Sequence, residues 1–569
     1  VLRPADRSTV YSYDATGQVT QIRYSDGTQE IYGYDEAGAL IKAQNQTNTV
    51  RLDRDAVGRV IRESQDANWV DYVYDALGQR TQLTSSLGAA IGFDRDQMGN
   101  LTRLSSQSWQ AQFGYDQRGL EVQRQLSGGV QMTWQRDTAG RPTQQRITAG
   151  GDAPRQRTYA WTMGDVLRQI DDSQWGVSQY EHDIFGALTK ATYADGTQEL
   201  RLPDAVGNLF ERADKTDRQY GPGGQLLRSQ HATYAYDAEG NLTHKTTAKG
   251  KVWHYEWAGN GMLSQVVRPD GQTVSFTYDA LGRRVSKSYK SKTTRWVWEG
   301  NKPLHEWSEL SLDGDNTEDV ITWLFEEDSF APVGKLQGTS RHSILTDHLG
   351  TPLELVDQSG LTQWSAQTTS YGRVRLEKGT RAECPFRFQG QYEDVETGLY
   401  YNRFRYYAPQ EGMYVSQDPI GLRGGRVLYR YAKAPLTRID AFGLESIDLF
   451  RGMTDINGIP KVGGSARELG ARPGVDIPID ANGNVHPNTG GISVSPSPND
   501  LPSHRKPPGF GGTGKDPVWK INTNDLGGDL KHIPDKPGHG TIQPSRTMSF
   551  DDYQKALADT QKKWKKVCP

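Results

Sequence analysis

Cysteine is nearly missing from this chain: Cys384 and Cys568 are the whole complement in 569 residues, so no disulfide framework staples the fold. No run of about 18 apolar residues occurs, which excludes a transmembrane helix. Neither sign of charge dominates. Lys+Arg 66 against Asp+Glu 69 leave a formal charge of -3, which excludes a protein that coats a polyanion through basic excess. Hydrophobic residues reach only 35%, yet aromatics make up 10%, with Tyr 27 and Trp 14, and that rules out a disordered chain. Glycine is what is abundant, 62 residues, and with the aromatics it points to many short strands joined by tight turns. The length allows about three to five domain-sized masses. The chain starts at Val1 with neither an initiator Met nor a signal peptide, as a processed product or a piece of a longer polypeptide does.

A Tyr-Asp-x-x-Gly motif recurs. Clear copies are Tyr13-Asp14 with Gly17, Tyr34-Asp35 with Gly38, Tyr74-Asp75 with Gly78, Tyr115-Asp116 with Gly119, Tyr236-Asp237 with Gly240 and Tyr278-Asp279 with Gly282. From Gly17 through Gly38, Gly58, Gly78, Gly99 and Gly119 to Gly140 the spacing is 20 or 21 residues, the period of a repeat array. Each unit reads as two alternating strands around a second turn such as Ser25-Asp26-Gly27 or Pro269-Asp270-Gly271, hence one β-hairpin per unit. A lone hairpin is marginal, so the units must stack and bury a shared face rich in Tyr and Trp. The repeated Asp serves to cap the local backbone ahead of a glycine turn.

These units resemble the Rhs and YD-repeat family of bacterial polymorphic toxins, insecticidal-complex shell subunits and teneurins, over roughly residues 10–444. The resemblance implies a mainly β fold, a YD-hairpin spiral forming a hollow shell around a cargo polypeptide, with an Rhs core terminus following the repeats. That terminus is carried by Phe386-Arg387-Phe388-Gln389-Gly390-Gln391-Tyr392, by Gly398-Leu399-Tyr400-Tyr401-Asn402-Arg403-Phe404-Arg405-Tyr406-Tyr407, and by Asp418-Pro419-Ile420-Gly421-Leu422 with a degenerate copy Asp440-Ala441-Phe442-Gly443-Leu444. A single Asp-Pro-x-Gly is an ordinary β-turn. Two copies can bring together two carboxylates that share one proton, activate water and protonate a leaving amine. By the resemblance, Asp418 and Asp440 are the acids of a self-cleavage that cuts between Leu444 and Glu445; Ala441 stands where Pro is usual.

Composition breaks at the same place. Residues 445–569 hold 14 of the 27 prolines, two tryptophans and no YD unit, and carry 16 Lys+Arg against 14 Asp+Glu. The expected domains are therefore 1–340, the repeat shell; 341–444, the core-terminal plug and self-cleavage module; and 445–569, a small α+β toxin domain. Its strand candidates are Asp448–Gly452 and Asn488–Ser495. Ser549 and Asp552 read as a capping box for a terminal helix whose face carries Tyr553, Leu557 and Trp564, with late lysines suiting the dipole. Leu449-Phe450-Arg451, then Gly490-Gly491-Ile492-Ser493-Val494, then His539-Gly540-Thr541-Ile542-Gln543-Pro544 resemble the small NAD-dependent toxins of type VI secretion with an ADP-ribosyltransferase-like fold. By that likeness NAD is the substrate, and Arg451, Ser493 and His539 are its catalytic and binding residues. The guanidinium would clamp the diphosphate or hold neighbouring backbone, and the hydroxyl would orient the nicotinamide ribose. Phe450, Ile492 and Gly540 replace hydroxyl-bearing residues of the pattern. Only Glu445 and Glu468 occur in the domain, both before the Ser motif, so the usual catalytic Glu is missing and His539, Asp529 or Asp535 takes its role, or NAD is only hydrolysed.

No metal site is expected, because the spacing of His486, His504 and His532 fits no compact ligand set. The same shell with a nuclease cargo, and a non-enzymatic YD-repeat surface or adhesion protein, are the alternative readings. Partners implied by the resemblance are a type VI secretion spike apparatus, a chaperone for an upstream segment and a cognate immunity protein. The toxin is expected inside its own shell and, after secretion, in the cytoplasm of a target bacterium, with no direct nucleic-acid or membrane binding.

Overall fold

The computed structural model describes residues 2–4, 7–150, 153–162, 165–310, 319–327, 329–421, 427–432, 434–444, 448–496, 498–536 and 539–567. Leu422, Glu445 and Cys568 lie outside them. Two compact units divide between Leu444 and Glu445. Among the described residues no helix is long and apolar enough to cross a membrane.

In the larger unit the hairpins follow one another in chain order. Strands from Thr9–Tyr13 to Gln198–Leu200 build a 19-stranded antiparallel sheet, and strands from Gln219–Tyr220 to Val374–Lys378 build one of 16 strands. The motif explains the turns. Asp75 Oδ1 accepts the backbone N–H of Leu77 at 2.9 Å and of Gln79 at 2.8 Å, and Gly78 takes a φ of 81° that costs a glycine little. The tyrosine before the Asp stitches units together: the hydroxyls of Tyr34, Tyr74, Tyr115 and Tyr278 donate to the carbonyls of Val19, Val60, Leu101 and Leu263 in the preceding unit. Where Trp161, Trp257 and Trp298 stand in for tyrosine, the indole N–H does the same for Pro142, Leu242 and Arg284.

The second sheet runs over the first at a steady offset. Asp26 accepts from Gly259 N, Asn45 donates to Tyr278 O and Gln65 donates to Trp298 O, each across 233 residues. A repeat array that spirals past its own start produces such a constant separation. Later strands of the second sheet are apolar on both faces because both are covered. Val297, Leu324, Leu345 and Val356 pack on the first sheet, while their neighbours Trp296, Trp298, Trp323, Phe325, Ile344 and Leu355 pack on the core-terminal segment, the period-2 alternation of a sandwiched strand. That segment folds as four strands, Tyr392–Asp394, Leu399–Asn402, Arg405–Ala408 and Met413–Tyr414, nearly every residue of which is buried. Cys384 sits in the same core, its thiol pushed up to about 11 by burial.

His305, fully buried, bridges the two sheets between Ser85 Oγ at 2.7 Å and Thr322 Oγ1 at 3.1 Å. Burial lowers its imidazole from 6.5 to about 4. The fold therefore favours the neutral ring, so this contribution, at most about 3 kcal/mol, is present above the unfolded value and is lost as pH falls from about 6.5 towards 4. Urea midpoints of the shell transition at pH 7 and pH 4.5 should differ less in His305→Asn than in the parent.

In the smaller unit, β1 (Asp448–Gly452), β3 (Val518–Asn522) and β6 (Lys565–Val567) form one sheet, and β2 (Ile492–Val494), β5 (His539–Pro544) and β4 (Leu530–Lys536) form another. The two are joined at their backbones where Phe450 and Ser495 exchange hydrogen bonds of 2.7 and 2.9 Å, and Leu449, Trp519 and Ile521 of the first share a core with Ile492, Val494 and Ile542 of the second. The helix α1 spans Phe550–Asp559, with Ser549 as N-cap accepting from Asp552 N. Two expectations need correction. The strand expected at Asn488–Ser495 is only Ile492–Val494, since Asn488 has a φ of 65° and Gly490 of 149°, which is turn geometry. The helix also stops before Trp564 and the last lysines. Thr560 Oγ1 donates to Leu557 O and accepts from the Trp564 indole, and Lys565 and Lys566 continue as an edge strand beside β3.

Candidate functional site

The doublet of the larger unit is two copies of the repeat's own turn. Asp418 Oδ1 accepts from Ile420 N at 3.0 Å, and Asp440 Oδ1 accepts from Leu444 N at 2.9 Å, as Asp75 does in its turn. Each carboxylate thus spends one oxygen on capping and presents the other. The two Oδ2 atoms converge on one guanidinium nitrogen, Arg405 Nη2, at 3.1 and 3.2 Å. Asp418 is 6% and Asp440 1% exposed, so the pair and its bridging cation are out of water. The Tyr414 hydroxyl donates to Asp440 Oδ2 at 2.8 Å, its ring lies 3.7 Å from the Arg405 guanidinium carbon, and Asn402 Nδ2 donates to Asp440 O. Burial pushes the Asp440 carboxyl above the usual carboxylate range against the pull of Arg405. Arg405 Nε also donates to Gly443 O. Gly443 has a φ of 65°, and a Cβ there would stand 2.4 Å from Asn402 O, so the chain reaches Leu444 only through a glycine. The sequence reading did not single out Arg405, Tyr414 or Asn402 as site residues. The available signal was an arginine inside a run of otherwise buried tyrosines.

In the smaller unit a cavity of about 200 Å³ opens beside the Phe450–Ser495 junction, and Arg451, Ser493 and His539 all line it. β1 sends the Arg451 side chain to the same side as Leu449 and Met453, into the core. There its guanidinium donates to Ser493 O at 2.6 Å and to Ala466 O at 3.2 Å. Of the two tasks open to this arginine, it performs the holding of neighbouring backbone. Its Nε is buried without a partner, and burial lowers the group to about 10 despite Asp476 nearby. Ser493, paired with Thr541 on β5, is exposed. His539 Nδ1 lies 2.6 Å from Asp535 Oδ1. A side chain at Gly540 would meet His532 Nε2 at 2.3 Å; the His532 ring occupies that space, and burial lowers it to about 4.

The cavity also holds groups the sequence did not disclose as a set: Arg472, Asp476, His504 and Arg505. Arg472 and Asp476 come from the segment before the Ser motif, and His504 and Arg505 from a 3-10 turn, Ser503–Arg505, after it. Asp529 does not line the cavity; it meets Arg546 at the surface. His486 is bonded to Asp480 and Thr547. Among the described residues no group of three His, Cys, Asp or Glu side chains converges as a metal site.

Fold and sites define a β-hairpin shell protein that carries a separate α+β domain at its C-terminal end. The family model "Teneurin YD-shell" matches residues 2–144 and 120–423, and "Tse2 ADP-ribosyltransferase toxin" matches 447–566. Among curated proteins, the chain is 30% identical over 330 residues to "Double-stranded DNA deaminase toxin A" of Burkholderia cenocepacia, covering 52% of this chain and 23% of that protein. It is 29% identical over 378 residues to "Toxin protein Tse5" of Pseudomonas aeruginosa, covering 54% and 28%. It thus spans about a quarter of the length of these relatives. Of solved structures, the Tc holotoxin pore of Photorhabdus luminescens has a TM-score of 0.55 at 16% identity, covering 80% of this chain and 27% of that one, and the TcdB2-TccC3 complex has 0.55 at 17%, covering 77% and 28%; these likenesses show the fold. The chain belongs to the Teneurin YD-shell family. Within it, the C-terminal segment is similar to an ADP-ribosyltransferase toxin domain.

Proposed function

We propose that this chain is a self-cleaving shell whose C-terminal domain consumes NAD. The observation that carries the NAD reading is the cavity that joins Arg451, Ser493 and His539 and adds Arg472 and Arg505. The Arg472 and Arg505 guanidinium groups beside one small cavity suit a diphosphate while Arg451 holds the wall that carries Ser493, and the exposed Ser493 hydroxyl suits the nicotinamide ribose. The glycosidic C–N bond breaks, its electron pair leaves with nicotinamide, and water or an acceptor nucleophile takes the ribosyl carbon.

Self-cleavage rests on Asp418 and Asp440, whose Oδ2 atoms converge on Arg405 in a buried site, and on Leu444, whose N–H is held on Asp440. The ionised carboxylate takes a proton from water as its oxygen bonds the Leu444 carbonyl carbon, and the C–N bond to Glu445 breaks as the other carboxyl's proton passes to the departing amine. On the same reading, drawn from the family likeness, the toxin travels inside its own shell. A secretion spike apparatus exports it with a chaperone for the upstream segment, it acts in the cytoplasm of a target bacterium, and a cognate immunity protein neutralises it.

The test is to incubate the full chain with NAD labelled in both halves, with and without bacterial extract, following nicotinamide release and label transfer to protein. Release without transfer identifies a glycohydrolase, and transfer identifies a transferase. Absence of both from folded protein removes the NAD reading.

A further inference from the structure

We propose that Asp476 is the carboxylate that stabilises the positively charged ribose in this domain, in the role a glutamate fills in the usual pattern; the proposal rests on the NAD reading above. Among the described residues Asp476 is the one carboxylate that lines the cavity, facing Arg451, Arg472, His504, Arg505 and His539. A site surrounded by cations binds a diphosphate well and opposes the charge that develops on the ribose as nicotinamide leaves. A fixed anion aimed at that charge lowers the barrier.

The other acids fall away on geometry. Glu468 is tied to Lys461 and to Ser465 N, Asp529 to Arg546, and Asp535 to His539 on its exposed side. None of the three lines the cavity. Asp476 is also fixed in place. Arg472 donates from Nη2 to Oδ1 at 2.7 Å, and from Nε and its backbone N to Oδ2 at 3.1 and 2.8 Å. These contacts hold the carboxyl below the usual range despite partial burial, so it stays ionised. Its backbone is packed on the turn that leads into the Ser493 strand: a Cβ at Gly490 would lie 2.4 Å from Asp476 O, so the glycine that opens the Ser motif also admits the segment bearing this acid. Sequence order concealed it, because the usual glutamate follows the Ser motif and Asp476 precedes it by 17 positions.

In the reaction Asp476 makes no covalent bond. The C–N pair leaves with nicotinamide, the carboxylate stabilises the ribosyl cation, and a nucleophile's oxygen closes the new bond while its proton passes to solvent or to His539.

The full chain carrying Asp476→Asn should lose about 100-fold in the kcat of nicotinamide release while KM for NAD stays within about threefold, and Asp476→Glu should recover part of the loss. Arg472→Met, which frees the carboxylate without removing it, should raise KM and keep kcat within about tenfold; a kcat loss as large as that of Asp476→Asn would mark the ion pair as structural and overturn the assignment. So would Asp476→Asn turning over NAD within about fivefold of the parent while Arg451→Ala is inactive, an outcome that leaves the NAD reading standing. A parent chain that releases no nicotinamide removes both. Asp529→Asn, outside the cavity, should be unchanged.

Discussion

The full chain carrying Asp440→Asn is expected to stay uncut after Leu444, with self-cleavage slowed by about 100-fold to 10,000-fold, as read by the ratio of intact to 444-residue product on a denaturing gel. Asparagine keeps the oxygen that accepts Leu444 N and the shape of the side chain, so the turn survives; what is lost is the second oxygen as a proton carrier. Asp418→Asn should do the same, since its Oδ2 meets the same Arg405 nitrogen. Asp347→Asn provides the control. Asp347 caps an identical turn through Leu349 N and Thr351 N but stands outside the doublet, and its loss should leave the cut intact. If Asp347→Asn stopped cleavage as fully as Asp440→Asn, the aspartates would be acting as turn caps rather than as acids. The guanidinium between the two carboxylates has further partners. While Nη2 bridges both Oδ2 atoms, Nε and Nη1 hold Gly443 O and Leu428 O, so the cation is tied to the segment that leads to Leu444.

Arg451→Ala should reduce kcat/KM for nicotinamide release by at least about 100-fold, with the thermal melt of the domain followed in parallel to show that it remains folded. The arginine ties β1 to the strand bearing Ser493 and to Ala466. Removing it loosens Ser493 and Arg505, which shares the Ala466 carbonyl, at one stroke. Arg451→Lys is not an equivalent exchange, because an ammonium on a flexible stem cannot reproduce the two-carbonyl grip of a planar fork. It should sit closer to alanine than to the parent. Retention of more than a tenth of the parent rate by Arg451→Ala would place the chemistry elsewhere.

The sequence alone determined the hairpin array, because each unit repeats its own local instructions. The Asp cap, the left-handed glycine and the tyrosine that reaches the preceding unit all act within about 20 residues, a range over which spacing in the chain is spacing in space. The same locality made β1 and the Ser549 cap legible. It failed where a distant partner set the outcome. The Ser493 strand was shortened by the turn packed on Asp476, and Lys565 and Lys566 became a strand because β3 offered an edge. The candidate sites follow the same rule. Asp418, Asp440, Arg451, Ser493 and His539 lie in motifs and could be named from the chain. Arg405 between the acids was marked only by its place in a run of tyrosines, and nothing along the chain groups Arg472, Asp476, His504 and Arg505 into one site. Only the tertiary structure decided their place, because charges that gather from separate loops are brought together by packing and not by order along the chain.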